Sequence, residues 1–423
     1  MKGLVIEGGE RLIGEVKVSG SKNATLPAMA AALLVAGPCR LRNVPGLNDV
    51  ETLRTLLETL GASVEWLGEG VLEVDTSDAE GITAPYELVN TMRASILILG
   101  PLLVRMGRAV VSLPGGCAIG ARPVDLHLRG LEALGAEITL DHGYIEARAS
   151  RLHGARLYME KSTVTGTENL MMAAARADGT TVIENAASEP EVVLLGELLC
   201  DMGADIQGLG TKILTIRGVS ELHPVEYEII PDRIEAGTLM VAAGLTGGNV
   251  LLRKCRLDHL GAVVEKLEEV GLEVIVQGDH EVRVIGNHAI RSADVKTNPY
   301  PGFPTDMQAQ FMALMTLANG LSVISETIFE NRFMHVSELM RMGADIRVQG
   351  NTAIVKGVPN LDGAPVMATD LRASASLVVA GLAAHGRTVI SRSYHLDRGY
   401  ENLEGKLASL GARIKKADLD ESV

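Results

Sequence analysis

The sequence predicts an α/β fold of six repeats, each about 70 residues long and built around a helix that is buried on every side. Three observations carry this expectation. The pattern Leu-x-x-(Leu/Met/Val)-Gly recurs around Gly61, Gly135, Gly203, Gly271, Gly343 and Gly411, at steps of 74, 68, 68, 72 and 68 residues. Each glycine stands between a pair of helical patterns and a stretch of alternating apolar and polar residues. Apolar residues make up 47% of the chain but aromatics only 3%, so the interior must be built from Leu, Val, Ile, Ala and Met.

Within a repeat the elements follow in a fixed order. The first helix is rich in small residues and has no polar face: LPAMAAALLVAG, ASILILGPLLVRMG, GTLMVAAGLTGG, MQAQFMALMTLANG and ASASLVVAGLAAHG. A helix of this kind is buried all round. A strand follows, and then an amphipathic helix, as in VETLRTLLETLG, DLHLRGLEALG, HLGAVVEKLEEVG and ENLEGKLASLG. The closing glycine suits the left-handed position that ends a helix. After it, SVEWLGEGVLEV, DIQGLGTKILTI and LEVIVQGDHEVRV read as hairpins. The buried helices are expected to begin near Lys22, Arg93, Glu168, Arg233, Asp306 and Arg372, which precede their glycines by 39, 42, 35, 38, 37 and 39 residues. This constant phase argues for duplication. It also places charged residues at helix N-termini, where unpaired N–H groups favour anions. If those ends converge, they form a polar, mostly cationic locus.

Bulk properties narrow the function. Lys and Arg number 39 against 53 Asp and Glu, a formal net charge of −14, which argues against a nucleic-acid-binding face. Anionic small molecules stay open, since a few local cations can hold a phosphate. Cys39, Cys117, Cys200 and Cys255 are widely spaced, without CxxC or a histidine at ligand spacing, so neither a disulfide framework nor a zinc site is expected. The N-terminus carries acids where a signal peptide needs an apolar core, and the longest apolar run, SILILGPLLV, is far short of the ~20 residues that span a bilayer. A soluble, cytoplasmic protein without membrane association is expected.

Four loops carry candidate chemistry. VSGSKNATLP, residues 18–27, pairs Gly20 and two serines with Lys22 and Asn23, but is not a P-loop; a solvated lysine in a turn is the plain alternative. LPGGCAIGARP, residues 113–123, places a thiol among three glycines, with Arg122 five residues on to favour thiolate; Val124, Asp125, Leu126 and His127 follow. The other three cysteines sit by helix ends or strands, where packing explains them, and His127 reads as a surface residue of the next helix. PYPGFPTDM, residues 299–307, stiffens the approach to Asp306, which is either an N-cap or a general base. Asp370 with Arg372, and Asp397 with Arg398, place Arg beside Asp, as a structural ion pair also would.

Taken together, SGSKNATLPA, PGGCAIGARPVDLHL, GFPTDMQAQF, ETIFENRFMHV, DLRASASLV and HLDRGYENL closely resemble the UDP-N-acetylglucosamine-using branch of the enolpyruvyl transferase family, with landmarks in all six repeats. The resemblance implies a two-domain inside-out α/β barrel, three repeats per domain. One domain would be 22–230, carrying the Cys117 loop. The other would combine 1–21 with 231–423 and carry Asp306. It also implies transfer of the enolpyruvyl group of phosphoenolpyruvate to the 3′-hydroxyl of UDP-N-acetylglucosamine, with release of phosphate, the first committed step toward peptidoglycan. Neither a metal nor an organic cofactor is implied.

The resemblance also implies roles for particular residues. Cys117 would take part in proton transfer, form an adduct with phosphoenolpyruvate and be the thiol that fosfomycin alkylates. Asp306 would lie near the sugar 3′-hydroxyl as base or final proton acceptor. Lys22, Arg122 and Arg398 would surround phosphoenolpyruvate, with Asn23 nearby. Arg93, the segment Arg122, Pro123, Val124, Asp125 and Leu126, Thr305 and Ile328 would contact the sugar nucleotide. Asp370 and Arg372 would serve closure and hold the reactive groups; contacts around 161–167 stay open. Two alternatives are a shikimate-3-phosphate enolpyruvyl transferase and a repeat protein that binds a sugar nucleotide without catalysis.

Overall fold

The computed structural model describes residues 2–113, 124–287 and 289–419, and these divide into two units, 20–113 with 124–230 and 2–19 with 231–419. Each unit contains three repeats. In the first repeat the buried helix Lys22–Ala31 leads to strand Pro38–Arg42, helix Asn48–Thr59 and the hairpin Ser63–Gly68 with Val71–Asp75. The second helix turns Val50, Leu53, Leu56 and Leu57 inward and leaves Glu51, Thr55 and Glu58 exposed, the division its 3.6-residue period requires. All six repeat glycines take left-handed backbone, with φ between 94° and 108°. That conformation is what the glycine spacing anticipates, and it turns each amphipathic helix into the following hairpin.

The sheets hold one strand more than the sequence pattern indicates. Among the described residues each of the six has four strands, and one edge strand, only two or three residues long in five of them, is parallel to its neighbour. In one unit Thr83–Ala84 pairs with Arg108–Ser112, Arg156–Tyr158 with Thr180–Glu184, and Glu226–Glu228 returns to Pro38–Arg42. Every repeat thus lends an edge strand to the next, and the third closes onto the first. Parallel neighbours need a long crossover, and the buried helix supplies it. Strands of two or three residues are too short to show a period of two.

The other unit closes by using the N-terminus. Strand Lys2–Glu7 lies antiparallel between Arg387–Ser391 and Arg413–Asp418, with Leu4 opposite Ile390 and Ile6 opposite Ile414. It occupies the place that the second hairpin strand has in the other five sheets. The next strand, Ile13–Lys17, is then the parallel edge beside Asn249–Arg253. Helices Arg233–Leu245, Gln308–Met315 and Leu371–Ala383 fill the middle of this unit, buried along nearly their whole length.

Two expectations from the sequence are corrected. The third buried helix begins not near Glu168 but at Val164, because Thr163 caps it by accepting from the Gly166 N–H at 3.4 Å. Glu168 is therefore inside the helix and fully buried; burial, with Glu191 and Glu189 nearby, pushes its carboxyl well above the usual range. His127 is not a surface residue but a buried one, packed where helix Asp125–Ala133 meets Val164–Ala174. The Asn169 amide is oriented by the Gly100 N–H on its oxygen, 2.8 Å, and by its own donation to Ile96 C=O, 3.1 Å. Its Nδ2 therefore donates to His127 Nδ1 at 3.1 Å, which leaves Nε2–H to face Thr165 Oγ1 at 3.4 Å. Burial, then the Arg93 charge, depresses the His127 pKa to about 4.

An added Cβ at Gly343 meets nothing within 4 Å, so Gly343→Ala isolates the conformational demand of φ 94°. A loss of about 1–3 kcal/mol is expected, seen as a lower urea midpoint at unchanged slope; an unshifted midpoint would contradict the left-handed requirement. The His127 ring is neutral when folded and ionises more readily when unfolded. Stability therefore falls as pH drops through the window from 6.5 to about 4. Against His127→Gln, the wild type should lose about 3 kcal/mol across that window, measured as unfolding midpoint against pH. Parallel pH profiles would place the histidine in solvent.

Candidate active site

In the unit formed by 2–19 and 231–419, the three buried helices begin at one place. Asp306 lies in the single turn Thr305–Met307 that leads into helix Gln308–Met315, at the end of the proline-rich approach. Its Oδ2 accepts from Arg372 Nη2 at 2.9 Å, and Arg372 is the second residue of helix Leu371–Ala383. Its Oδ1 accepts from Arg332 Nη2 at 2.7 Å. The third helix, Arg233–Leu245, is capped by Asp232, whose carboxylate accepts from Ile234 and Glu235 N–H and acts electrostatically on Arg372. The anticipated convergence of helix starts is thus real within this unit.

The electrostatics of Asp306 follow from those two bonds. Burial alone would raise its pKa, but the Arg372 and Arg332 guanidiniums outweigh burial and hold the carboxyl well below its usual range. The arginines are almost wholly enclosed, while the Asp306 side chain keeps 26% of its surface open. An ionised carboxylate with both oxygens on arginines is a poor proton acceptor.

Two networks fix the arginines. Arg332 Nη1 donates to Thr305 Oγ1 at 2.9 Å, and Thr305 Oγ1 donates to Glu326 Oε2 at 2.8 Å. The Arg332 guanidinium also lies over the Phe329 ring, 5.2 Å from its centroid. Arg372 lies over Tyr400 at 5.3 Å, and the buried Tyr400 hydroxyl is held by Thr238 Oγ1 at 2.9 Å and Gln310 Nε2 at 3.0 Å. His335 lies within the electrostatic reach of Asp370 and Arg332; burial foremost brings its pKa down to about 4, so it is neutral near pH 7.

In both Asp–Arg neighbours of the sequence the carboxylate has other partners. Asp370 caps its helix, accepting from Arg372 and Ala373 N–H at 2.8 and 3.0 Å, which frees the Arg372 guanidinium for Asp306. Asp397 instead meets Lys416 at 3.0 Å, and Arg398 ends the turn Ser393–Arg398, near enough to influence His395 along with Asp370. The Ile328 N–H donates to Glu326 Oε1 at 2.8 Å.

In the other unit Lys22 opens its helix and is not a solvated turn residue: its ammonium meets Asp49 at 3.1 Å, with both side chains largely enclosed. Asn23 follows it in the same turn, half-buried. Arg93 begins the turn Arg93–Ile98, and Val124 caps helix Asp125–Ala133, whose first residues are Asp125 and Leu126. Cys117, Arg122 and Pro123 lie outside the described residues. The thiols of Cys39, Cys200 and Cys255 are all pushed upward, chiefly by burial, Cys255 to about 12, as packing residues should be. Among the described residues no group of three His, Cys, Asp or Glu side chains could hold a metal ion, and no helix is long and apolar enough to cross a membrane.

Arg332, Glu326, His335, Asp232 and Tyr400 are site residues that spacing did not single out. Glu326, Arg332 and His335 all fall in ETIFENRFMHV, a segment notable for its composition but without a periodic signal.

Comparison with known proteins agrees with this architecture. Residues 6–407 match the family model EPSP synthase (3-phosphoshikimate 1-carboxyvinyltransferase). The chain is 60% identical over 416 residues to UDP-N-acetylglucosamine 1-carboxyvinyltransferase of Geobacter metallireducens, covering 98% of this chain and 99% of that one. It is 58% identical over 417 residues to the enzyme of the same name from Thermodesulfovibrio yellowstonii, with 98% and 100% covered. The solved enolpyruvyl transferase NikO from Streptomyces tendae superposes with a TM-score of 0.89 at 28% identity, over 98% of both chains. EPSP synthase from Acinetobacter baumannii superposes at 0.77 with 18% identity, over 99% of this chain and all of that one, a likeness of fold alone. Two units of three repeats, each with buried helices inside and sheets outside, are the inside-out α/β fold of these transferases, and the chain belongs to the EPSP synthase (3-phosphoshikimate 1-carboxyvinyltransferase) family.

Proposed function

We propose that this chain transfers the enolpyruvyl group of phosphoenolpyruvate to the 3′-hydroxyl of UDP-N-acetylglucosamine and releases phosphate, the entry step to peptidoglycan. The observation that carries the reading is identity of about 60% along almost the whole chain to enzymes named for that transfer. The acceptor follows from those relatives, and shikimate 3-phosphate is not favoured.

The reaction is an addition followed by an elimination. The sugar hydroxyl oxygen bonds to C2 of phosphoenolpyruvate while C3 gains a proton, giving a tetrahedral intermediate. C3 then loses a proton, the C2–O bond to phosphate breaks and the double bond returns. The chain must supply a proton donor, a proton acceptor and cations that offset phosphate and carboxylate charge. In this reading Asp306 receives the proton of the 3′-hydroxyl once the substrate's anionic groups compete for Arg372 and Arg332. Lys22, Arg122 and Arg398 take the charge of phosphoenolpyruvate, with Asn23 beside it. Cys117 handles the proton at C3 and is the group that fosfomycin alkylates. Arg93, Arg122 to Leu126, Thr305 and Ile328 bind the sugar nucleotide, and Asp370 and Arg372 hold the reactive groups in place. The domain 22–230 contributes the Cys117 loop and the domain of 1–21 with 231–423 contributes Asp306. We place the protein in the cytoplasm.

The test is phosphate release from phosphoenolpyruvate with UDP-N-acetylglucosamine or shikimate 3-phosphate as acceptor. Release should depend on the sugar nucleotide and be abolished in Cys117→Ala. Asp306→Asn should lower kcat by about 10²–10⁴, and fosfomycin should add one inhibitor mass to the wild type but none to Cys117→Asp. Release with shikimate 3-phosphate alone would overturn the acceptor; binding of the sugar nucleotide without release would favour a non-catalytic protein.

A further inference from the structure

Glu326 directly follows strand Leu321–Ser325 and is 2% exposed, yet its carboxylate is met by four donors. Three converge on Oε1: Thr297 Oγ1 at 2.8 Å, Ile328 N at 2.8 Å and Phe329 N at 3.2 Å. Thr297 Oγ1 accepts from Thr327 N at 2.9 Å, and its own proton favours Glu326 at 2.8 Å over the Ser325 carbonyl at 3.5 Å. Among the described residues only Thr305 Oγ1 reaches Oε2, at 2.8 Å. A carboxylate can only accept, so the Thr305 hydroxyl proton is committed to it. One Thr305 lone pair is taken by Arg332 Nη1 at 2.9 Å. Among the described residues, this leaves Thr305 a single lone pair and no proton.

We infer that Glu326 is a positioning residue that fixes Thr305 as a pure hydrogen-bond acceptor and pins the Ile328 backbone, so that the site selects an N–H or O–H of the acceptor sugar nucleotide at Thr305. A phosphate or carbonyl oxygen at the same point would face another acceptor and be rejected. The inference rests on the enolpyruvyl-transfer reading, in which Thr305 and Ile328 contact the sugar nucleotide, and it gives those contacts a direction. The same carboxylate holds the Thr305 oxygen toward Arg332, and so supports the arginine on Asp306.

Glu326→Gln tests this with almost no change of shape. Three donors at Oε1 require the amide oxygen there, which leaves the amide NH2 facing Thr305. The Thr305 hydroxyl must then reverse and present its proton outward. The expected result is a KM for UDP-N-acetylglucosamine raised about tenfold or more, the factor that about 1.4 kcal/mol represents, with the KM for phosphoenolpyruvate within twofold of wild type. In Thr305→Val, which has no hydroxyl to reverse, adding Glu326→Gln should change that KM less than twofold. Additive effects, equal rises in both KM values or an unchanged KM would overturn the inference.

A second measurement needs no Glu326 variant: UDP-N-acetylglucosamine analogues with one N–H or O–H methylated at a time, titrated against wild type and Thr305→Val. One analogue should bind the wild type at least tenfold worse than the parent and bind Thr305→Val no worse than the parent. Equal losses on both proteins for every analogue would also overturn it. A wild type that does not turn over UDP-N-acetylglucosamine would instead refute the transferase reading itself, so the two failures are distinct.

Discussion

The candidate site depends on one carboxylate held by two guanidiniums. Asp306 spends both oxygens on Arg372 and Arg332, and each arginine is braced from behind, by Tyr400 in one case and by Thr305 with Phe329 in the other. Breaking such a partly enclosed pair by removing one partner leaves an uncompensated charge, which is costly, so the arrangement defines a single resting geometry. In the proposed reaction, an incoming polyanion would compete with the carboxylate for the same two arginines.

The fold explains why these groups can meet. A helix buried on every side can carry charge only at its ends, so three such helices packed together gather their polar termini at one place. Asp232 and Asp370 cap two of them by accepting backbone N–H groups, and the cap at Asp370 is what leaves the Arg372 side chain available. The sheets pass edge strands from repeat to repeat, so no repeat is complete alone. In one unit the ring closes only when Lys2–Glu7 joins the sixth sheet.

Much of this was legible in the sequence because it rests on long-range phase. Six glycines at near-constant spacing announced the repeats, and all six adopt the left-handed backbone. Lys22, Arg93, Arg233, Asp306 and Arg372 are marked as helix-start residues by the same phase, and all five stand within two residues of a helical start. Glu168 stands off its helix start because a local cap, Thr163, outweighs the repeat register. The burial of His127 is invisible in its amphipathic helix because a neighbouring helix supplies the Asn169 and Thr165 that satisfy both ring nitrogens. Edge strands of two residues carry no period, and the role of Lys2–Glu7 depends on chain closure. Arg332 and Glu326 act through partners distant in sequence, so their meaning appears only once Thr305 and Asp306 stand beside them.

The ionisation of Asp306 under its two arginines is open to direct observation. The chain labelled with ¹³C at aspartate carboxyls, with Asp306→Asn to assign the signal, should show no titration of Asp306 between pH 8 and pH 4 in the absence of substrate. An Asp306 carboxyl that titrates within that range would contradict the account, because the clamp would then be too weak to hold the charge.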